Sequence, residues 1–204
     1  YIQRNIDATR AAYGLEKVEV KDYQATVATS AGQLSNDAAT ISNIRLMDPN
    51  ILSATFRQLQ QIKPYYTFNN SLDIDRYTID GKSHDMVVAV REMNIDGNPN
   101  RNWINDHLVY THGFGFVGAY GNTPELDGKP VFAVGDIPPK GSVGKFEPRV
   151  YFGENNPTYS IVGGKKGGDA VELDYPDDAS PNGQKNHTYT GNGGVPLGSV
   201  FSRL

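Results

Sequence analysis

Two of the chain's four histidines, His107 and His112, fall in the stretch Trp103–Tyr120, which also holds its only tryptophan. Imidazole changes charge nearest neutral pH, so either ring could act as a general acid or base, or as a metal ligand. Their separation of five residues matches neither face-sharing interval of a helix, which suits a common metal poorly. A zinc site needs three or four ligands, and the other donors, Asp106, Glu154, Asp174 and His187, lie for the most part far away in sequence. The expectation for His112 is a hydrogen bond to a backbone carbonyl or nearby carboxylate that holds the Tyr110–Gly113 turn. The enzymatic alternative is a hydrolase using His112 with a carboxylate and Arg149, with His112, Arg149 and Glu154 as candidate catalytic residues. No Gly-x-Ser-x-Gly elbow supports it, since Ser199 is followed by Val200.

Other patterns fail on spacing or context. Gly113–Gly118 spells Gly-x-Gly-x-x-Gly, but no clear strand precedes it, no helix opens at the third glycine, and no acidic residue closes a βαβ unit. Gly163–Gly168 lacks the Ser/Thr of a phosphate-binding loop and reads as a hairpin tip. Asp73 and Asp75 lack the later ligands of a calcium loop, whereas Asp177 and Asp178, with Asn182 and Asn186 in a polar stretch, are candidate calcium ligands. No cofactor is expected. Asp75–Arg76 and Arg91–Glu92 should face each other as a cross-strand ion-pair ladder. Arg149 should pair inward, with a carboxylate of the 75–92 hairpin. The tyrosines should be largely core, and any that cluster at the surface would suit sugar rings, peptides or lipid headgroups.

These groups need a scaffold, and the pattern predicts an α+β fold. Helices are expected over 2–13, with Ile2, Ile6, Thr9 and Tyr13 at helical spacing and Gly14 as a C-terminal stop, and over 49–62. In the second, Asp48 caps, Pro49 takes the first position, and Leu52, Phe56, Leu59 and Ile62 form the buried stripe. Both should pack on one face of an antiparallel or mixed sheet built from 65–68, 73–80, 84–93, 114–120, 147–152, 159–162 and 170–175, with long glycine-rich loops between. The turn pair Asp80–Gly81 makes 75–91 a hairpin. Asn102 should cap a short helix over 103–109, with Trp103 and Tyr110 anchoring the stretch and its glycines passing close beneath neighbours. Asp136–Pro139 should be extended. A strand over 17–24, a polar excursion over 25–42, an exposed loop over 177–193 and a final helix from Gly198 complete the reading.

Bulk properties bound the function classes. At 204 residues the chain can bury roughly 70% of its unfolded surface, enough for a core without staples. A net charge of −4 argues against a nucleic-acid partner, which clustered Lys and Arg would hold. The absence of cysteine excludes disulfides and thiolate chemistry. No run approaches the ~18 apolar residues of a membrane span. The chain opens inside one helical pattern and stops inside another, so 1–204 is expected to be a single domain cut from a longer protein.

Taken in order, the blocks Ile2–Leu15, Asn43–Pro49, Leu72–Tyr77, Val90–Glu92, Asn102–Gly115, Asp136–Pro139, Pro148–Glu154, Tyr159–Val162, Leu173–Pro176 and Gly191–Ser199 resemble uncharacterised protein family 0182, large multi-pass membrane proteins of actinobacteria and some other bacteria. The resemblance implies a parent anchored by N-terminal transmembrane helices, with this region on the extracytoplasmic side of the cell membrane. The lack of a recognisable catalytic constellation then favours a non-catalytic module, for assembly, envelope binding or transport, in contact with the membrane and with envelope proteins or glycans. The resemblance supplies no catalytic residues to carry over.

Overall fold

A computed structural model describes residues 1–19, 22, 32, 44–164 and 167–197. The chain divides into two compact units, Tyr1–Ala38 and Ala39–Leu204. The expected final helix lies outside the described residues, as does most of the expected 17–24 strand and the 25–42 excursion.

The first unit contains helix α1, Ile2–Ala12. It stops as its sequence demands: Gly14 takes φ +66°, its N–H donates to Ala11 O, and the Leu15 N–H donates back to Arg10 O. This pair of bonds satisfies the orphan carbonyls of the last turn, and glycine takes the left-handed φ without a Cβ penalty. No residue of α1 is buried. The moderate amphipathicity of Ile2 and Ile6 marks a face without making it core.

The second unit is built on a five-stranded antiparallel sheet in the order β2-β3-β6-β7-β8: β2 Asp73–Ile79, β3 Lys82–Val90, β6 Phe116–Pro124, β7 Pro130–Gly135 and β8 Lys140–Gly141. The hairpin falls where its turn pair places it, with Asp80 at φ +51° and Gly81 at φ +75°, the twist that a two-residue connection needs. β3 is apolar at successive positions because both faces are covered. Val87 and Ala89 face one way, into a core with Phe68, Leu72, Val117 and Ala119; Met86 and Val88 face the other, with Ile79 and Ala133. Helix α2, Pro49–Gln60, covers the first face. Asp48 accepts the Asn50 N–H at 2.9 Å, Pro49 opens the helix, and Leu52 and Phe56 enter the core. Burying each such side chain stabilises by about 1.5–3 kcal/mol. The helix is two residues shorter than its apolar pattern suggests. Ile62 has a positive φ and is half-exposed, as is Leu59, and the buried residue of the last turn is instead Gln60.

The remaining strands do not join this sheet. They form three short antiparallel ladders: β1 Tyr66–Thr67 with β4 Glu92–Met93, β5 Gly113–Phe114 with β9 Arg149–Val150, and β10 Glu172–Pro176 with β11 Gln184–His187. Three strands lie outside the expected set: the apolar run of β7, the two-residue β8, and the polar β11 inside the expected exposed loop. Conversely 159–162 is not a strand, because its Ile161 N–H donates to the His107 carbonyl and not to a sheet. Asp136–Pro139 is a turn, not extended, with Asp136 at φ +68° and a cis Ile137–Pro138 peptide. Among the described residues no helix is long and apolar enough to cross a membrane.

The junction between sheet and ladders turns on Arg91, which is wholly buried. Its guanidinium donates to Gln60 O and Phe114 O at 2.7 Å each and to Gln60 Oε1 at 3.3 Å, and lies 5.5 Å from the Phe68 ring. Burial lowers its pKa to about 10, which still leaves it charged at neutral pH. Glu92 turns the other way and accepts from the Asn155 backbone N–H at 2.5 Å. The expected ion-pair ladder therefore reduces to Arg76–Asp85 at 2.8 Å. Gly113 crosses directly over Arg91 and Glu92, where a Cβ would overlap the Arg91 carbonyl oxygen and approach Glu92 Cα to 2.7 Å. The glycine-rich stretch does pass close beneath its neighbours.

Candidate functional site

His112 immediately precedes β5, and its side chain is 0% exposed. β5 pairs with β9, which brings Arg149 alongside, and β10 contributes Glu172 and Asp174 from alternate positions of one strand face. Asp174 is the extra residue of a bulge between Leu173 and Tyr175, a device that re-aims side chains beside polar sites.

The cluster is densely bonded. Arg149 grips Asp174 with both arms, Nε to Oδ1 at 2.7 Å and Nη2 to Oδ2 at 2.9 Å, and reaches Glu147 at 2.9 Å through Nη1. Glu172 accepts four hydrogen bonds: Thr111 and Tyr151 hydroxyls on Oε2, both at 2.9 Å, and the Gly163 and Tyr189 N–H groups on Oε1 at 3.0 and 2.9 Å. The His112 Nδ1 lies 3.0 Å from Thr111 Oγ1. Because that hydroxyl proton is directed at Glu172, Nδ1 is the donor in this contact. Nε2 sits 3.7 Å from Asp174 Oδ1, too long for a hydrogen bond, and has no partner within bonding distance. The Tyr151 ring covers the imidazole at 4.5 Å, Tyr189 packs on Tyr151 at 4.6 Å, and the His187 ring is 6.3 Å from His112.

The electrostatics follow from this enclosure. Burial alone would raise the Asp174 carboxyl, but His112 and Arg149 outweigh it and hold the group below its ordinary value. Burial, then the Glu172 carboxylate, pushes the Tyr151 phenol far above its usual range. Burial and the Arg149 charge lower the His187 imidazole. The hydrogen bond to Asp174 raises Arg149.

His112 and Arg149 thus come together, an arrangement that only the hydrolase alternative invoked; Arg149 pairs with Asp174 and not with a carboxylate of the 75–92 hairpin, and His112 is held by side chains instead of a backbone carbonyl. Glu154 is elsewhere, exposed and lining a cleft of about 400 Å³ with Asp73, Glu92 and Phe152. Among the described residues no group of three or more His, Asp and Glu side chains could hold a metal. Asp177 accepts from the Ala179 N–H, the Ser180 hydroxyl and Lys185, closing its own turn, while Asp178 is 96% exposed with Lys63 at 4.0 Å. Sequence reading left Glu172, Tyr151, Tyr189 and Thr111 without a role in the site. The available signal was Glu172 and Asp174 sharing one face of an expected strand, a pair of carboxylates that needs cations and donors once buried.

A second polar constellation lies on the same stretch. Residues Asn105–Val109 form a π-helix, closed by the Tyr110 N–H donating to Asn105 O at 2.9 Å and capped by Asn102 Oδ1 on the Asn105 N–H at 2.9 Å. His107 stacks flat on Tyr159, centroids 4.0 Å apart and planes 4° apart, and Nδ1 meets Tyr159 O at 3.1 Å. Trp103, expected as a core anchor, packs against His107 at 5.5 Å and remains 55% exposed. Tyr110 does join a core cluster, with Tyr66, Met93 and Phe114.

Comparison with known proteins returns one family. The model of the Uncharacterised protein family (UPF0182) matches residues 1–204. A UPF0182 protein of Leifsonia xyli subsp. xyli is 50% identical over 204 residues, covering 100% of this chain and 21% of that protein. One of Clavibacter michiganensis subsp. michiganensis is 52% identical over 204 residues, with the same coverage. One of Bifidobacterium adolescentis is 51% identical over 207 residues, covering 100% of this chain and 19% of that protein. The chain spans about a fifth of the length of the curated relatives it matches. No solved structure matches it.

Proposed function

This chain belongs to the uncharacterised protein family UPF0182, and from that premise we propose that it is a non-catalytic, extracytoplasmic module of a multi-pass membrane protein, serving assembly, envelope binding or transport. The observation that carries the non-catalytic part is the closure of the His112 cluster. A general base must come within hydrogen-bond reach of a substrate proton, whereas His112 has no exposed surface and its carboxylates are already occupied by Arg149, Thr111, Tyr151 and backbone N–H groups. Such a network fixes the mutual placement of β5, β9 and β10, and buried ionic groups can serve that specifying role. Membrane attachment and sidedness rest on the family resemblance. The partners proposed are the membrane, through helices of the parent, and envelope proteins or glycans.

Both halves of the reading can be tested in the full-length protein in cells. This chain has no cysteine, so Leu126→Cys, at a fully exposed position, introduces one thiol into the region. A membrane-impermeant maleimide should label it in intact cells beyond the level of the unsubstituted protein, and labelling only after lysis would refute the sidedness. For the non-catalytic half, His112→Gln in a deletion background should lower protein level and complementation together. A variant at normal abundance that fails to complement would overturn it.

A further inference from the structure

The geometry points to a saccharide-binding cleft beside the π-helix, with Arg101, Asp106 and Asn94 of its lining as hydroxyl partners and the exposed rings of Trp103 and Tyr159, which flank its His107 wall, as platforms at its margin. This deepens the glycan-binding part of the proposed function and rests on that reading, but not on sidedness; the array tests the cleft, whereas maleimide labelling and complementation test the module. The cleft measures about 320 Å³, at the small end of the range of roughly 300–1,000 Å³ for ligand sites. Of the residues lining it only Ile95 and Pro157 are apolar; the others carry amide, hydroxyl, imidazole, carboxylate or guanidinium groups. A lipid tail or an apolar peptide side chain would gain little there, whereas a polyhydroxylated ring could use every wall.

Four observations converge on that ligand class. The first is π-helical geometry at Asn105–Val109, which is rare and concentrates at functional sites. The second is the aromatic arrangement. Trp103 and Tyr159 both contact His107, which lines the cleft, yet are 55% and 51% exposed. Exposed aromatic rings offer apolar area with a polar handle, and the C–H face of a pyranose packs on such a surface. The third is a pre-arranged donor–acceptor set. Arg101, 47% exposed, is held between Asp96 at 2.7 Å and Asp106 at 2.8 Å, which fixes the guanidinium without using all of its N–H groups. The fourth is Asp106 itself: Oδ2 is engaged by Arg101, while Oδ1 is covered and has no hydrogen-bond donor within the described residues. A buried acceptor left unpaired in this way is costly, and rotation of the carboxylate would let a ligand hydroxyl satisfy it. One arginine stands against two aspartates in the lining, so the cleft offers no net positive charge, which suits a neutral sugar better than a phosphorylated or anionic one.

The test uses the full-length protein on an array of short neutral oligosaccharides of the maltose, cellobiose, chitobiose and galactobiose series, with hits measured by saturation-transfer NMR and titration. At least one series should bind, and Trp103→Ala should weaken it by about tenfold or more, the loss of one stacking contact. Trp103→Phe should keep most of the affinity, and Leu126→Ala all of it. Arg101→Gln removes ligand donors while leaving the aromatic platform; it also costs the pairs with Asp96 and Asp106, so binding is measured well below its lowered melting midpoint, where it should still be weakened, and this decides the matter if Trp103→Ala disturbs folding. Absence of binding to every series overturns the proposal. So does binding that Trp103→Ala and Arg101→Gln leave unchanged, or a peptide panel that binds at Trp103 where saccharides do not.

Discussion

Glu172 offers a sharp test of the buried cluster, because two substitutions of one residue should differ widely. Its carboxylate is 3% exposed and accepts from two backbone N–H groups on one oxygen and two hydroxyls on the other. Glu172→Ala removes all four acceptor contacts. The hydroxyls of Thr111 and Tyr151 can rotate toward other partners, but the Gly163 and Tyr189 N–H groups are fixed by the main chain. Leaving each unsatisfied costs about 1–3 kcal/mol, and loss of the compensating charge near His112 and Arg149 brings the total to about 3–5 kcal/mol. Glu172→Gln keeps the shape. Its carbonyl can take the Oε1 position and retain both N–H bonds, while its NH₂ faces two hydroxyl oxygens that can accept. The expected cost is about 1 kcal/mol. For a chain of this size, roughly 2–4 °C of melting temperature accompany each kcal/mol, so alanine should lower the midpoint by roughly 10 °C and glutamine by roughly 3 °C. Urea unfolding of the purified chain, followed by circular dichroism, measures both. Equal losses for the two variants, or an alanine loss under about 1 kcal/mol, would refute the network as a source of stability.

Gly113→Ala should cost about 3 kcal/mol or more, since its Cβ would meet the main chain of Arg91 and Glu92, which cannot yield as a side chain could; a denaturant midpoint within error of wild type would contradict the close crossing. Arg91→Lys should cost about 2–4 kcal/mol, because one ammonium cannot reach the carbonyls of Gln60 and Phe114 and the Gln60 side chain together; the same urea series checks it. His187 sets a pH dependence. Its imidazole is held below the ordinary 6.5, so the unfolded chain takes up a proton first as pH falls. This contribution to stability is complete above pH 6.5 and declines as pH drops from there through the lowered folded value. His187→Gln should flatten that slope in unfolding experiments stepped across the interval.

The parts legible in the sequence are those whose signals are local. Asp48 and Pro49 start α2 with their own side chain and ring, and Asp80–Gly81 fixes the hairpin by backbone preference alone. Arg149 and His112 stand out by type, and the hydrolase alternative alone brings them together. Their partner is not legible, because Asp174 lies 25 residues from Arg149 and is delivered by a bulge that no residue pattern announces. β11 escaped for a related reason: Gln184–His187 has no apolar alternation, and only pairing with β10 makes it a strand. Trp103 misled in the opposite direction. A lone tryptophan among glycines and aromatics suggests core, yet the close crossing at Gly113 fills that role, and the indole is 55% exposed just before the π-helix.

The five-stranded sheet has a consequence for how the chain behaves in a crowded solution. β2 forms one margin of that sheet, and no strand lies on its outer side among the described residues. A free margin displays a row of unpaired N–H and C=O groups that a second copy could extend into a continuous sheet. Here the margin carries Asp73, Asp75 and Arg76, exposed in succession around a half-exposed Ile74. Bringing two such margins together would crowd four aspartates along one seam. The same hairpin that seeds the core therefore keeps its open border repellent toward its own kind, and neutralising Asp73 and Asp75 would remove the guard without touching a single core contact.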